Sequence, residues 1–262
     1  EKILPLKRAI IEKAYGIKTN FDIDEILEEY VSYGKKLQKY VGDVSSLVSK
    51  RLETHAFLFE QAHGTMLDPV FGTYPFTVAP PTISSAVFPS VGIAARTLPV
   101  IGVVKAYTTR VGNGPFPTEL SDNTGDTIRE RGHEFGTVSK RPRRCGWLDI
   151  PLLRYAVRLN GVTSLAVTKL DVLSGLKKLS VCVGYRYHGK ILREFPSEIS
   201  TLADCQPVYK ILACWPEDIG GVRRQQDLPK HALVYLSFLE SQLRIPIRYI
   251  SVGAERKALI RT

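Results

Sequence analysis

An α/β class is what this sequence predicts, on three observations. Short apolar runs such as Ser164 to Lys169 and Ile247 to Val252 read as buried strands. Longer segments carry apolar residues at helical spacing. The two kinds alternate along the chain, which is the pattern of layered α/β folds.

The elements follow in order. Pro5 suits a first helical turn and Gly16 the position past a helix end, so residues 5–15 read as a short helix. Asp22, with Glu25 three residues on, resembles a capping box. Behind it Leu27, Tyr30, Val31, Leu37, Tyr40, Val41, Val44 and Val48 recur at near-helical spacing. They predict one helix over 24–52, or two broken near Gly42. Phe57-Leu58-Phe59 reads as a short buried strand. Residues 60–99 are rich in Gly, Pro, Ser and Thr, and an irregular segment of that length is usually functional or mobile. Val100 to Val111 is expected as a strand that turns sharply at Gly112-Asn113-Gly114-Pro115. Residues 121–147 read as polar and loop-rich, ending in basic residues. Asp149 and Pro151 start a helix that Asn160-Gly161 ends. After the strand Ser164 to Lys169, Ser180 to Tyr187 and Lys190 to Phe195 pair as a hairpin about His188-Gly189. Asp227 and Pro229 open the last helix, with Leu233, Leu236, Leu239 and Leu243 on one face, and Ile247 to Val252 is the last strand.

Hydrophobic residues at 44% and charged residues at 24% of 262 are ordinary globular proportions and exclude disorder. No apolar run reaches the roughly 20 residues a membrane-spanning helix needs, and no signal segment opens the chain. A cytoplasmic protein without a membrane partner is expected. Cys145, Cys182, Cys205 and Cys214 form no C-x-x-C pair, so a zinc knuckle or redox dithiol is not suggested and reduced thiols are expected. The five histidines show no metal-ligand spacing. The first residue is Glu1 and the chain holds one Met, so it is expected to begin inside a longer one. A net charge of +10 admits a nucleic-acid partner or small anions such as nucleotides and dicarboxylates; the small anions are expected, and no nucleic-acid partner.

Three motifs bear on chemistry. Thr168-Lys169-Leu170-Asp171 follows an apolar strand, where α/β sheets present ligand loops. An Asp carboxylate there can accept two parallel hydrogen bonds from the N1 and N2 donors of guanine, and adenine lacks that pair. The alternative is an exposed charge pair at a strand end. Arg141-Pro142-Arg143-Arg144 offers guanidinium forks that suit phosphate and carboxylate. The alternative is a solvated basic face or a weak nucleic-acid patch, though only Phe135 and Trp147 stand near it as aromatics. Gly184 to Lys190 imitates a phosphate loop, but Ile191 follows the Lys where a hydroxyl is needed, and a hairpin fits better.

Longer strings carry a family resemblance. Gly72-Thr73-Tyr74-Pro75-Phe76, the run from Lys105 to Leu120, the run from Arg141 to Asp149, and Thr168 to Leu173 resemble, in this order, the adenylosuccinate synthetases. The resemblance runs from about residue 5 to the C-terminus and implies a mixed sheet with helices on both faces, in one domain spanning 1–262 and incomplete at its N-terminus. It implies a GTP-dependent ligase that joins IMP to L-aspartate, giving adenylosuccinate, with Mg2+ and a homodimeric assembly. Arg143, Lys169, Leu170, Asp171, Ser251, Val252 and Gly253 would bind GTP. The loop Thr137, Val138, Ser139, Lys140, Arg141, Pro142 and Arg143 would bind aspartate. His63, Val78 and Arg141 fall where the family contacts IMP. The family's opening segment, with its phosphate loop, catalytic Asp and His and metal ligands, is not expected in this chain, so no catalytic or metal-binding residue is assigned. Departures from the family pattern are His63 for a Gln, Val78 for a Thr, Lys140 for a Gly and Ala254 for a Pro. The alternative is a catalytically incomplete fragment or a non-catalytic guanine-nucleotide-binding homologue.

Overall fold

A computed structural model of the protein describes residues 3–18, 20–136 and 140–262. These residues form two compact units, the described residues up to Phe57 with Val91–Ile93, and Leu58–Ser90 with Ala94–Thr262.

The first unit is helical: α1 (Ile3–Tyr15), α2 (Ile23–Leu37) and α3 (Val44–Arg51). Asp22 caps α2, its Oδ1 accepting from Asp24 N at 2.9 Å and Glu25 N at 3.2 Å. A single 3-10 turn, Gln38–Tyr40, follows α2, and Asp43 caps α3 through Ser46 N at 2.9 Å. The segment 24–52 is thus the broken pair, with the break beside Gly42. The stripe of Ile26, Leu27, Tyr30 and Val31 has helical period, yet α2 buries none of it.

The second unit carries α4 (Val87–Val91, whose last residue groups with the first unit), β1 (Ile101–Lys105), β2 (Thr108–Arg110), α5 (Asn123–Arg131), β3 (Arg144–Gly146), β4 (Leu148–Asp149) and α6 (Ile150–Asn160). Then follow β5 (Ser164–Thr168), β6 (Leu179–Tyr187), β7 (Lys190–Leu192), α7 (Ile199–Asp204), β8 (Gln206–Leu212), α8 (Lys230–Leu243), β9 (Ile247–Ser251) and β10 (Leu259–Arg261).

The strands fall into three sheets. The first has the order β1-β5-β9-β10, with β1, β5 and β9 parallel and β10 antiparallel, so it is mixed as expected. The second pairs β2 with β3, and the third joins β4, β6, β7 and β8. Parallel neighbours need a crossover, and α8 supplies it between β5 and β9. Leu165, Val167, Leu236, Leu239 and Ile250 pack between this helix and the sheet. Among the described residues β1 ends the first sheet, with Val103 74% exposed.

Several sequence expectations are corrected. Residues 100–111 are two strands in different sheets, not one. The chain leaves β1 at Ala106 and Tyr107, both buried: Ala106 N still donates to Thr168 O at 2.8 Å, while Ala106 O turns to the Tyr235 hydroxyl, which donates to it at 2.6 Å. Phe57-Leu58-Phe59 is not a strand, and Leu58 is 89% exposed; three apolar residues are too few for periodicity to tell strand from linking coil. The polar stretch 121–147 hides α5, capped by Asp122 through Thr124 N and Gly125 N. β8, along the flank of β6, had no alternation strong enough to announce it.

The β6–β7 hairpin is as expected. Tyr187 pairs with Lys190, and His188 and Gly189 turn at φ 44° and 77°. Positive φ at both positions is the tight two-residue hairpin turn, not a phosphate cradle.

Candidate functional site

Three chain segments leave the C-terminal ends of the parallel strands on one side of the sheet. They are Ala106-Tyr107 after β1, Lys169-Leu170-Asp171 after β5 and Val252-Gly253 after β9. In open α/β sheets this is where ligands bind.

Lys169 opens a 3-10 turn, Leu170–Leu173, from the left-handed region at φ 60°. Leu170 is fully buried and anchors the turn. Asp171 faces a cleft of about 850 Å³ lined also by Arg131, Asp218, Val252 and Gly253. Its Oδ1 is buried with no hydrogen-bond partner. Burial raises the pKa of this carboxyl, against its own backbone N–H and the charge of Lys169. A buried acceptor left unpaired is a rare feature in a folded protein. Across the cleft the Ser251 hydroxyl donates to Gly253 O at 2.8 Å, and Val252 N donates to Ala258 O at 3.0 Å.

Beside the cleft lies a cluster built on Glu134, which is 0% exposed. Lys105 Nζ donates to both its oxygens at 2.7 Å, and the Tyr107 hydroxyl donates to Oε1 at 2.7 Å. Arg143 Nη1 reaches Oε2 at 2.9 Å and Lys169 Nζ lies 3.1 Å from Oε1. Burial alone would raise the pKa of Glu134, but the bonds from Lys105 and Tyr107 hold it at about 2. Burial lowers the pKa of Lys105 despite the carboxylate beside it. Tyr107 is pushed well up by burial and then by its bond to Glu134. Gly132 is required here, because a Cβ would collide with the Tyr107 hydroxyl. Its carbonyl also accepts from Lys169 Nζ. Three partly exposed cations on one carboxylate leave positive charge for an anionic ligand.

The basic run is therefore not one solvated face. Arg143 turns to Glu134, while Arg144 forms a two-pronged pair with Glu119, with Nε 2.7 Å from Oε1 and Nη2 on Oε2. The loop before Arg143 closes on itself: Gly136 N donates to Arg141 O at 2.8 Å, Lys140 N to Gly136 O at 2.9 Å and Arg143 N to Glu134 O at 2.8 Å. Pro142 bridges to Phe135. Lys140 stands at φ 54°, a conformation that suits glycine. Thr137, Val138 and Ser139 lie outside the described residues.

His63 and Val78 belong to a different loop. His63 is exposed at φ 67°, and Val78 N donates to Leu67 O at 2.9 Å. Asp68 organises this loop, accepting from Val70 N and Phe71 N at 2.9 Å and from Thr82 N at 2.8 Å. Arg110 ties it to β2 through Thr73 Oγ1 at 2.9 Å.

Sequence reasoning missed Glu134, Arg131 and Asp218. Glu134 sits in a polar stretch without periodicity, and its partners at 105, 107, 143 and 169 meet only in the fold. Lys105 and Tyr107 were visible within a motif, with nothing to say what they hold.

The profile of the family described as adenylosuccinate synthetase matches residues 1–260. An adenylosuccinate synthetase of Carboxydothermus hydrogenoformans is 48% identical over 256 residues, which are 97% of this chain and 60% of that protein. One of Thermodesulfovibrio yellowstonii is 47% identical over 253 residues, 96% of this chain and 59% of that protein. A solved structure of fully ligated adenylosuccinate synthetase from Plasmodium falciparum superposes with a TM-score of 0.92 at 39% identity, covering all of this chain and 63% of that one. The chain thus spans about three fifths of the length of the curated relatives it matches.

Proposed function

The chain belongs to the adenylosuccinate synthetase family, and on that premise we propose that it supplies the guanine-reading and substrate-loop part of a ligase that joins IMP to L-aspartate at the expense of GTP. One observation carries this reading: the buried, unpartnered Oδ1 of Asp171 in the cleft beyond β5 and β9. The carboxylate accepts the N1 and N2 donors of guanine, and adenine would leave it unpaired. The stem of Lys169 lies over the base, and the backbone of Ser251, Val252 and Gly253 closes the opposite wall. Arg143, with Arg141, Pro142 and the loop from Thr137 to Lys140, binds the dicarboxylate, and Arg143 also reaches GTP. Arg141 extends to IMP, whose other contacts fall at His63 and Val78.

In the reaction the terminal phosphoryl of GTP passes to O6 of IMP. The amine of aspartate then attacks C6, and the C6–O bond breaks to release phosphate. The residues of this chain bind and orient. No proton transfer is assigned to any of them. The family uses magnesium, but among the described residues no group of three or more His, Cys, Asp or Glu side chains gathers to hold a metal ion, so no step is routed through one. A homodimer in the cytoplasm is the setting that fits the family; among the described residues no helix is long and apolar enough to cross a membrane.

Calorimetry with GDP and ADP tests the guanine reading. GDP is expected to bind more tightly, and Asp171→Asn to weaken it by about 1–3 kcal/mol. Equal affinities for the two nucleotides would overturn it. A second reading, a guanine-nucleotide-binding homologue without turnover, draws on the left-handed Lys140 in the aspartate loop. A coupled assay with GTP, IMP, aspartate and magnesium, run on this chain joined to the remaining two fifths of a relative, separates the two. Turnover by that joined protein within tenfold of an intact relative would sink the second.

A further inference from the structure

We propose that Glu134 is the positioning residue through which the guanine-reading turn and the anion-binding loop act on each other, an inference that rests on the guanine reading of Asp171. Its carboxylate takes one residue from each ligand segment on opposite oxygens: Lys169 at 3.1 Å from Oε1, and Arg143 at 2.9 Å from Oε2. Lys105 and Tyr107 occupy the remaining acceptor positions, so the carboxylate cannot turn toward one loop without giving up bonds at the end of β1. The backbone repeats the arrangement. Glu134 O accepts Arg143 N at 2.8 Å, and Gly132 O accepts Lys169 Nζ.

Two further observations say that these contacts do more than neutralise charge. Lys169 holds a left-handed conformation at φ 60°, which a non-glycine residue keeps only when its surroundings fix it. Lys169 also stands two residues before Asp171, so a shift of one moves the other. Arg143 Nε is buried without a hydrogen-bond partner. Glu134 steers the guanidinium from one side through Nη1, and the side chain, 27% exposed, keeps its outer donors for a ligand. Moving Glu134 releases both loops together, and binding at one loop is felt at the other.

The test uses guanosine as the probe, on the whole chain, in a double-substitution cycle. Glu134→Gln keeps the side chain's shape and removes its charge; Lys169→Met removes the group it holds. Each alone is expected to weaken guanosine about tenfold, the loss of one hydrogen bond to a charged group. The double variant is expected to bind no worse than Lys169→Met, because Glu134 acts through Lys169. Losses that multiply would mean a general structural role and overturn the proposal. Limited trypsin digestion reads the other loop. Guanosine is expected to slow cleavage after Lys140 in the unsubstituted chain and to lose that effect in Glu134→Gln. Equal protection in both also overturns it. Should Glu134→Gln fail to fold, Glu134→Asp carries the same two measurements, since it keeps the charge and shortens the reach by one methylene. Guanosine binding by the unsubstituted chain separates the two ideas: its absence overturns the guanine reading and this proposal with it, whereas binding with multiplying losses overturns this proposal alone.

Discussion

The hydroxyl of Tyr185 lies 2.7 Å from each carboxylate oxygen of Asp149, and both residues are buried. Asp149 also caps α6, accepting from Leu152 N at 3.1 Å. Burial raises its pKa to about 6 even with these bonds. An Asp in an open chain titrates at about 3.9. The folded form therefore prefers the proton, and the stability it contributes is present below pH about 4 and lost as pH rises through about 6. The loss amounts to roughly 3 kcal/mol. In Asp149→Asn, which still caps and still accepts from Tyr185, urea unfolding between pH 4 and 6 should lose this slope. An unchanged slope would assign it elsewhere.

Glu134 works in the opposite direction. Held at about 2 in the fold, against about 4.3 in an open chain, it contributes stability above pH about 4.3 that disappears as pH falls through about 2. Acid unfolding of the parent should be steep in that window and shallower in Glu134→Gln. Parallel acid transitions in the two proteins would contradict this.

Lys140 pays a backbone cost for standing where glycine suits. A non-glycine residue in the left-handed region costs about 1–2 kcal/mol, and glycine brings about 0.5–1 kcal/mol of extra chain entropy to the unfolded state. Lys140→Gly is expected to stabilise by up to about 1 kcal/mol, measured by urea denaturation. A destabilised variant would show that the lysine side chain holds the loop.

Tyr235 joins α8 to the exit of β1 through its hydroxyl, 2.6 Å from Ala106 O. The carbonyl is buried, so Tyr235→Phe leaves it without this donor. A loss of about 1–3 kcal/mol is expected. Differential scanning calorimetry checks it, and a melting temperature within a degree of the parent's would show that another donor takes over.

What the sequence made legible was set by local signals. The caps at Asp22 and Asp149, the hairpin about His188-Gly189 and the strands β5 and β9 each follow from residues a few positions apart. Asp171 was found the same way, because a four-residue string behind an apolar strand has a chemical meaning of its own. Glu134 was not, because a buried carboxylate inside a polar run looks like any exposed one until residues from β1, the 137–143 loop and the turn after β5 close on it. The division of 100–111 into two strands escaped for a related reason: the Tyr235 hydroxyl that holds Ala106 O where the chain leaves β1 is 129 residues away. α5 escaped because it is built from polar residues and leans on its Asp122 cap more than on an apolar stripe.

The first sheet has unlike margins. On one side β10 runs antiparallel and finishes at Arg261; on the other β1 presents Ile101–Lys105 with Val103 open to solvent. Unpaired peptide groups on a flat apolar edge are a template for another chain. Of the two margins among the described residues, the β1 side is the one expected to accept a further strand. Val103→Lys is therefore expected to raise the solubility of this +10 chain in concentrated solution; an onset of light scattering unchanged from the parent's would clear this edge.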